Sequence, residues 1–100
     1  MIHHYVFFKM RTDVTNDEVQ ALKLGLDKLK EIEGVQKTEF GVQESMYDGY
    51  ADRSKGYSHG FIVILDSREA LKNYNDDRRH IEFRDGLVVP LVDKTKQDLL

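Results

Sequence analysis

Tyr74 and His80 are the pair of residues in this chain with the clearest capacity for chemistry. A histidine side chain exchanges protons near neutral pH, and a tyrosine hydroxyl can donate a hydrogen bond to a developing enolate oxygen. Together they could promote ring closure of the aldol or Claisen type. Residues six apart on an unbroken helix are separated by about 240°, so these side chains meet only if residues 75–77 interrupt the helix. The alternative interpretation is that His80 stabilises this interruption by hydrogen bonding and does no chemistry.

Two further histidines, His4 and His59, fall within apolar runs that have β-strand character. Both are predicted to point to the same face of neighbouring strands. There they could touch and orient a substrate, or they could form a hydrogen-bonded polar spot in the core. A zinc site is disfavoured, because His3 and His4 face opposite ways and no pair of histidines has a helical metal-binding spacing. The sequence has no glycine-rich phosphate loop and no dinucleotide fingerprint, so we expect neither a metal nor a cofactor.

The composition is that of one ordinary globular domain. The chain has 100 residues, of which 40% are hydrophobic and 33% are charged, so it can form a core and a surface of mixed charge. The net charge of -3 gives no electrostatic reason to expect nucleic acid or anionic lipid as a partner. No run of about 18 apolar residues predicts a membrane span, and the lack of cysteine excludes disulfides. We therefore expect a cytoplasmic protein that binds neither nucleic acid nor a membrane.

Hydrophobic periodicity and capping signals divide the chain into strands and helices. Residues 15–18, Thr-Asn-Asp-Glu, match the capping box and predict the start of a helix that ends before Gly34. Residues 57–65 are apolar on both faces, with Tyr57 and His59 on the same face, and predict the central strand. Pro90 is predicted to kink or end the last helix. The predicted strands are 2–9, 35–44, 57–65 and 97–100. Asp66 or Ser67 is predicted to cap the second helix, which is interrupted at 75–77 and then resumes. A loop is predicted at 45–56 and a polar turn at 93–96.

This order of elements predicts an α+β fold of the ferredoxin-like kind, β-α-β-β-α-β, with an antiparallel sheet and both helices on one face. The other face of the sheet would then be bare. It would expose Tyr5, Phe7, Ile62 and Ile64, a larger apolar patch than monomeric soluble proteins usually tolerate. We therefore expect a homodimer in which two sheets pack face to face, as a dimeric α+β barrel.

Four stretches of sequence, taken in their order and spacing, resemble the stress-responsive A/B barrel domain family. They are Met-Ile-His-His-Tyr-Val-Phe-Phe-Lys at 1–9, Gly-Tyr-Ser-His at 56–59, Ser-Arg-Glu-Ala-Leu-Lys-Asn-Tyr at 67–74 and His-Ile-Glu-Phe at 80–83. The resemblance covers nearly the whole chain, and it implies a single domain over residues 1–100 and a dimeric barrel. Members include plant stress proteins, some of which form larger rings, and plant polyketide cyclases such as olivetolic acid cyclase.

The cyclases of this family place histidines and a tyrosine around a pocket between the sheet and the helices. The matching residues in this chain are His4, His59, Tyr74 and His80. The resemblance implies that His80 is the catalytic base, that Tyr74 holds or polarises the substrate, and that the other two histidines bind it. The apolar side chains expected to bind substrate in the same pocket are Val6, Phe8, Phe61 and Phe83. Some relatives also hold a cation on backbone carbonyls, near residues 33–35 of this chain.

Two departures from the family pattern bear on function. The usual His-Pro pair between the tyrosine and the histidine is replaced by Asp77-Arg78, which could alter the mouth of the pocket and the substrate. The segment after Phe83 is longer than usual, and the sequence stops where a full fourth strand would continue, so that strand is predicted to be short or truncated.

Two functions therefore remain open from the sequence. The first is a protein that binds a small aromatic or polyketide-like molecule and acts as a cofactor-free cyclase. The second is a non-catalytic structural stress-response protein that forms dimers or larger oligomers. A solvent-open cavity lined by the two strand histidines, Tyr74 and His80 would favour the first function, and a filled core would favour the second.

Overall fold

A computed structural model describes residues 1–43 and 56–93 of the chain. Its antiparallel sheet has the order β1-β3-β2, with β1 at Ile2–Phe8, β2 at Val35–Val42 and β3 at His59–Leu65. The prediction that the third strand is central is confirmed. The predicted last strand, and all but the last residue of the predicted loop, lie outside the described residues.

The first helix, α1, spans Asn16–Lys28 and begins at the predicted capping box. The Thr15 hydroxyl accepts a hydrogen bond from the Glu18 N–H at 3.2 Å, and the Thr15 N–H donates to the Glu18 carboxylate at 3.0 Å. A 3-10 turn at Leu29–Glu31 extends the helix. Gly34 then takes a φ of 93°, a left-handed conformation that is readily accessible only without a Cβ. The predicted end of the helix is therefore confirmed.

The second helical segment is interrupted where the sequence predicts. The helix α2 spans Arg68–Asp76 and has Ser67 as its N-cap. Asp77 leaves the helical conformation, with φ -69° and ψ 133°, and its carboxylate accepts a hydrogen bond from the Arg79 N–H at 2.8 Å. Asp77 thus ends α2 and caps the next helix, α3, which spans Arg78–Phe83.

The last helix continues beyond α3 as a wide π turn at Arg84–Val88 and then a 3-10 turn that contains Pro90. Helical structure ends one residue after the proline, as predicted. This segment packs closely on α1 at Gly25, where an added Cβ would clash with the side chain of Leu87 and lie 3.1 Å from a ring carbon of Phe83. The glycine therefore allows α1 and the last helix to approach each other closely.

After its last turn the chain returns to the edge of β1. The Arg11 N–H donates to the Leu91 carbonyl at 2.9 Å, and the Asp93 N–H donates to the Lys9 carbonyl at 2.8 Å. This antiparallel pairing is where a ferredoxin-like fold places its fourth strand. This pairing at Val92 and Asp93 was not predicted from the sequence. Residues 94–96 of the predicted turn lie outside the described residues, so the turn stays a prediction.

The helices cover one face of the sheet, and the predicted alternation along β1 is confirmed. Phe8 is fully buried and Val6 is half-buried on the covered face, whereas Tyr5 and Phe7 are 51% and 42% exposed on the other. The buried core consists of Phe8, Met10, Leu22, Leu26, Leu29, Ile32, Val35, Phe61, Val63, Leu65, Ala70, Tyr74, Phe83, Val88, Leu91 and Val92.

The uncovered face carries a row of aromatic rings. Tyr5 and Phe7 stack with their ring centroids 6.0 Å apart and 8° between their planes, and the ring of Tyr57 lies 6.5 Å from that of Phe7. The Phe7 ring covers Gly60, where an added Cβ would lie 2.9 Å from a ring carbon. The prediction that Tyr57 shares a face with His59 is wrong, because regular alternation begins only at His59, the first residue of β3.

Candidate functional site

The break between α2 and α3 brings Tyr74 and His80 together. Their ring centroids are 4.3 Å apart, with 38° between the planes. The His80 Nδ1 lies 3.2 Å from the Asn75 carbonyl oxygen. Because a carbonyl oxygen only accepts, neutral His80 carries its proton on Nδ1, and Nε2 is then the basic nitrogen. The same hydrogen bond also ties α3 to α2, which is the role that the non-catalytic interpretation gives to His80.

Tyr74 is held deep in the core, with 1% of its surface exposed. Burial raises the pKa of the Tyr74 hydroxyl well above its ordinary range, so the group stays protonated and can serve as a hydrogen-bond donor. Among the described residues, no side-chain nitrogen or oxygen is both fully buried and unpartnered. The structure shows no hydrogen bond from the Tyr74 hydroxyl to another described residue.

His4 lies beside Tyr74, and the two ring centroids are 6.2 Å apart in an edge-on arrangement. Burial lowers the pKa of His4, and repulsion from a charged His80 lowers it further. Burial also lowers the pKa of His80, and the positive charge of Arg84 lowers it further. The hydrogen bond to the Asn75 carbonyl raises this pKa, but the net shift is downward. Both imidazoles are therefore neutral at neutral pH, as a proton acceptor must be.

His59 belongs to a different part of the sheet. In the β1–β3 register it lies opposite Phe8, whereas His4 lies opposite Val63. Four residues along a strand correspond to about 13 Å. The predicted contact between the two histidines is therefore wrong, although their strands are neighbours and both face the helices. The distance between the two histidines is set by the register of β1 against β3, and residue types alone do not predict that register.

The ring of His59 is held on several sides. It stacks on Phe8 at 6.0 Å between centroids and lies 5.9 Å from the ring of Phe40. Its Nδ1 is 2.7 Å from the Ser58 hydroxyl oxygen, which also accepts a hydrogen bond from the Met10 N–H at 2.9 Å. Burial lowers the pKa of His59, so this imidazole too is neutral at neutral pH.

An open pocket of about 630 Å³ lies beside His59, and its lining is mostly apolar. Tyr5 and Phe7 line the side of the pocket that faces away from the helices, and Phe40 and Phe61 line another part. His4, Tyr74 and His80 are not among its lining residues. This pocket therefore does not unite the strand histidines with the tyrosine, and the predicted site falls into two parts.

The apolar residues predicted to bind substrate pack mainly against one another. The rings of Phe61 and Phe83 meet edge to face at 5.6 Å, and both side chains are buried. Phe8 is fully buried beneath His59, and Val6 packs against the core from β1. Of these four residues, Phe61 lines the open pocket.

A second open pocket, of about 440 Å³, lies where the end of α1 meets the start of α2. Its lining is polar and includes Glu33, Gly34, Asp66 and Arg79. Within residues 1–43 and 56–93, no group of three or more histidine, aspartate or glutamate side chains is placed to hold a metal ion. A cation on backbone carbonyls at this position remains a prediction from the resemblance.

The Asp77-Arg78 departure from the family pattern has a local structural role. Two hydrogen bonds from the Arg79 guanidinium, at 3.0 and 2.8 Å, hold the Asp77 carboxylate. Together with the Arg79 N–H, they lower the pKa of Asp77 to about 2. Arg78 is 89% exposed and pairs with Glu82 at 3.5 Å. The pair therefore forms a charged helix start, with Arg78 directed to solvent.

Ser58 is the residue of the site that the sequence-based reasoning did not single out. Its hydroxyl contacts both the His59 ring and the Met10 N–H, and Met10 is 48 positions from Ser58 in the sequence. The available signal was its place directly before a histidine at the start of an apolar strand. That signal is weak, because it does not indicate which backbone group the hydroxyl will meet.

The order and packing of these elements define an α+β protein of the ferredoxin-like class, with one sheet face covered by helices. The chain belongs to the stress responsive A/B barrel domain family, whose model matches residues 2–97. The family predicted from the sequence is thus confirmed.

Solved structures share this fold. The crystal structure of an Arabidopsis thaliana protein has a TM-score of 0.79 and 21% identity, covering 100% of this chain and 89% of that one. A dimeric ferredoxin-like protein from Thermobifida fusca has a TM-score of 0.72 and 21% identity, covering 98% and 83%. A hydroxynitrile lyase from Passiflora edulis has a TM-score of 0.76 and 15% identity, covering 98% and 85%.

No match to this chain occurs among curated proteins. Within the described ranges, no helix is both long enough and apolar enough to cross a bilayer.

Proposed function

We propose that this chain is a homodimeric small-molecule binding protein that carries out cofactor-free acid–base chemistry at Tyr74 and His80. The ligand is a small aromatic or polyketide-like compound that contains a carbonyl group. The observation that carries this proposal is the hydrogen bond between the His80 Nδ1 and the Asn75 carbonyl, at 3.2 Å. It leaves Nε2 as the proton acceptor on a ring whose centroid is 4.3 Å from that of Tyr74.

The proposed reaction begins when the His80 Nε2 removes a proton from a carbon next to a carbonyl group. The electron pair of the broken C–H bond moves onto the carbonyl oxygen, and the Tyr74 hydroxyl donates a hydrogen bond to the resulting enolate. The enolate carbon then attacks a second carbonyl of the same molecule and closes a ring. His80 returns its proton to the new alkoxide, which restores the neutral imidazole.

The homodimer is proposed from the uncovered face of the sheet. Tyr5 and Phe7 are 51% and 42% exposed there, next to the half-buried Ile62 and Ile64. A solved structure of the same fold, from Thermobifida fusca, is described as dimeric. A second copy of this chain offers the same aromatic row, so each copy would cover the other as in an isologous interface.

Deuterium exchange into an aromatic methyl ketone tests the acid–base step without knowledge of the natural substrate. The acetyl protons of 2,4-dihydroxyacetophenone are followed by proton NMR in D2O, with and without the dimeric protein. We expect the protein to accelerate exchange, His80→Gln to abolish the acceleration, and Arg78→Gln, on the same helix, to leave it unchanged. Wild-type protein that neither binds this ketone nor accelerates its exchange would contradict the proposal.

A second candidate function, a non-catalytic oligomer, is favoured by the burial of Tyr74, which is only 1% exposed. In that case the contacts among His4, Tyr74 and His80 stabilise the junction of the sheet with the broken helix. The two candidates differ in one measurement: the oligomer would form without any exchange activity.

A further inference from the structure

We propose that Arg79 is a positioning residue, because its guanidinium holds the Asp77 carboxylate away from His80 and so keeps that imidazole neutral. The ring then retains its hydrogen bond to the Asn75 carbonyl, which leaves Nε2 as the proton acceptor. The catalytic meaning of this role rests on the proposed function, in which His80 is the base. The charge and the hydrogen-bond partner of His80 belong to the ligand-free protein and can be measured separately.

His80 is placed where its side chain can reach the cap of its own helix. Asp77 is the N-cap of α3, and His80 is the third residue after it. A side chain at this position can fold back to the N-cap residue, as glutamate does in a capping box. A carboxylate is a stronger acceptor than a carbonyl, since charge-assisted hydrogen bonds are shorter and stronger than neutral ones. The Asp77 carboxylate therefore competes with the Asn75 carbonyl for the Nδ1–H of His80.

Arg79 occupies both oxygens of this carboxylate. Its Nε donates to the Asp77 Oδ1 at 3.0 Å, and its Nη2 donates to Oδ2 at 2.8 Å. This two-point contact fixes the plane of the carboxylate. The Arg79 N–H also donates to Oδ1, at 2.8 Å. With the carboxylate held in this way, the His80 Nδ1 lies 3.2 Å from the Asn75 carbonyl oxygen.

The guanidinium of Arg79 is also anchored outside α3. Its Nη1 donates to the Glu31 carbonyl at 3.4 Å, at the end of the 3-10 turn that extends α1. The contacts with Asp77 and the charge of Glu31 raise the pKa of Arg79, so the side chain stays charged at every pH at which the protein is folded. The cation is therefore held in place from both sides, although 53% of the side chain is exposed.

Asp77 acts on His80 through its charge as well. Among the groups of α3 and the turn that follows it, Asp77 and Asp85 raise the pKa of His80, whereas Arg84 lowers it. Asp85 is itself paired with Arg84 at 2.9 Å. Burial is the largest influence and keeps the net direction downward. The charge of Asp77 therefore opposes the neutral state of His80, and the guanidinium of Arg79 offsets that charge.

The other elements packed against His80 do not favour an imidazolium. From α2 comes Tyr74, whose hydroxyl stays protonated because burial raises its pKa. From β1 comes His4, and repulsion between the two imidazoles disfavours a charge on both. A shift of His80 toward its charged form thus needs a carboxylate, and Asp77 is the one placed to supply it.

Removal of the guanidinium would leave the Asp77 carboxylate with an open oxygen. That oxygen could accept the Nδ1–H of His80, and the unpaired negative charge would favour the imidazolium. An imidazolium cannot remove a proton from carbon. Arg79 therefore acts on the proposed reaction through Asp77 and His80, without contact with the substrate.

The neighbouring arginine provides a matched control. Arg78 is 89% exposed and pairs with Glu82 at 3.5 Å. Replacement of Arg78 or of Arg79 by glutamine removes the same charge from the same turn of α3. Of the two, Arg79 is the one that holds the Asp77 carboxylate.

The test follows the histidines of the ligand-free, full-length protein by 15N NMR as a function of pH, with the His80 signals assigned by their loss in His80→Gln. We expect Arg79→Gln to raise the pKa of His80 and Arg78→Gln to leave it at the wild-type value. Addition of Asp77→Asn to Arg79→Gln should lower the pKa again, because asparagine also caps a helix but carries no charge.

Deuterium exchange into 2,4-dihydroxyacetophenone gives a second readout. In Arg79→Gln the acid limb of the pH profile should move to higher pH, with a rate at pH 6 that is about threefold lower than in the wild type. Arg78→Gln should keep the wild-type profile, and the double variant with Asp77→Asn should regain it. A purely structural role of Arg79 would not produce this recovery.

An unchanged pKa of His80 in Arg79→Gln would overturn the inference, and so would an equal rise in Arg78→Gln. If Arg79→Gln does not fold, Arg79→Lys decides, because lysine keeps the charge but loses the two-point contact. The pKa of His80 should then rise, and an unchanged value would again overturn the inference. Absence of ketone exchange in the wild-type protein would count against the proposed function, whereas the titration would still decide the role of Arg79.

Discussion

The imidazole of His80 lies 4.3 Å from the phenol ring of Tyr74, centroid to centroid, although six positions separate the two residues in the sequence. The contact exists because Asp77 leaves the helical conformation and starts a new helix at the next residue. The position of the proposed base thus depends on a helix cap.

Replacement of Asp77 by alanine should therefore affect both stability and the proposed chemistry. Loss of the cap and of the Arg79 ion pair is expected to lower the free energy of unfolding by about 1 kcal/mol. The deuterium exchange rate should fall as well, because His80 loses its fixed position beside Tyr74. Urea unfolding and ketone exchange measure the two effects. Asp76→Ala, which removes a neighbouring carboxylate that does not cap α3, is the matched control and should change neither.

Replacement of Tyr74 by phenylalanine separates the hydroxyl from the ring. Phenylalanine keeps the packing between His4 and His80, so the unfolding free energy should change by less than about 1 kcal/mol. The exchange rate should fall about tenfold or more, since a hydrogen bond to a charged oxygen contributes about 1.5 to 3 kcal/mol. An unchanged exchange rate in this variant would remove Tyr74 from the proposed mechanism. Tyr74→Ala, by contrast, should destabilise the fold by about 3 to 5 kcal/mol through the cavity that it leaves.

The stability of the protein should decrease as the pH falls through the range in which histidines titrate. The pKa values of His4, His59 and His80 are lowered in the folded state, mainly by burial. As the pH falls, these histidines take up protons in the unfolded chain before they do so in the folded protein. The stability that the neutral histidines contribute to the folded state is therefore fully present above about pH 6.5 and is lost progressively below it.

Urea midpoints at pH 8, 6 and 5 measure this dependence. His80→Gln removes one of the three groups and should flatten the curve. The carboxylate of Asp77 does not interfere in this range, because its pKa is about 2 and its own effect appears below about pH 4. A midpoint that is the same at pH 8 and pH 5 would show that the histidines are not buried as described.

The uncovered sheet face should hold two copies of the chain together. We expect the wild-type protein to sediment as a dimer at micromolar concentration and Phe7→Glu to sediment as a folded monomer, because the new charge would be buried without a partner. Leu24→Glu places the same charge on α1, at a side chain that is 58% exposed, and should remain dimeric. A wild-type monomer would exclude the barrel assembly.

Local signals in the sequence predicted a good part of the fold and of the site. The capping box at Thr15 and the helix break at Asp77 each depend on side chains within a few residues of the backbone groups that they bind. Such contacts form wherever the local sequence allows them, so a pattern of residue types suffices to predict them. The meeting of Tyr74 and His80 followed from the break and was predictable for the same reason.

Contacts between distant segments were not predictable in this way. His4 and His59 have the right residue types on the right face, yet the register separates them by four positions along the strands. The Ser58 hydroxyl meets a backbone N–H that is 48 positions away. Each outcome depends on how two strands align, and that alignment is decided by the packing of the whole core.

The central position of β3 also determines when the first strand can find its place. Ile2 pairs with Leu65, and Phe8 pairs with His59, so during synthesis β1 waits for a strand that lies much later in the chain. Until then the sequence Ile-His-His-Tyr-Val-Phe-Phe has no β3 with which to form its backbone hydrogen bonds. Pairing across such a long loop slows folding. During synthesis this strand therefore remains without its pairing partner until β3 has been made.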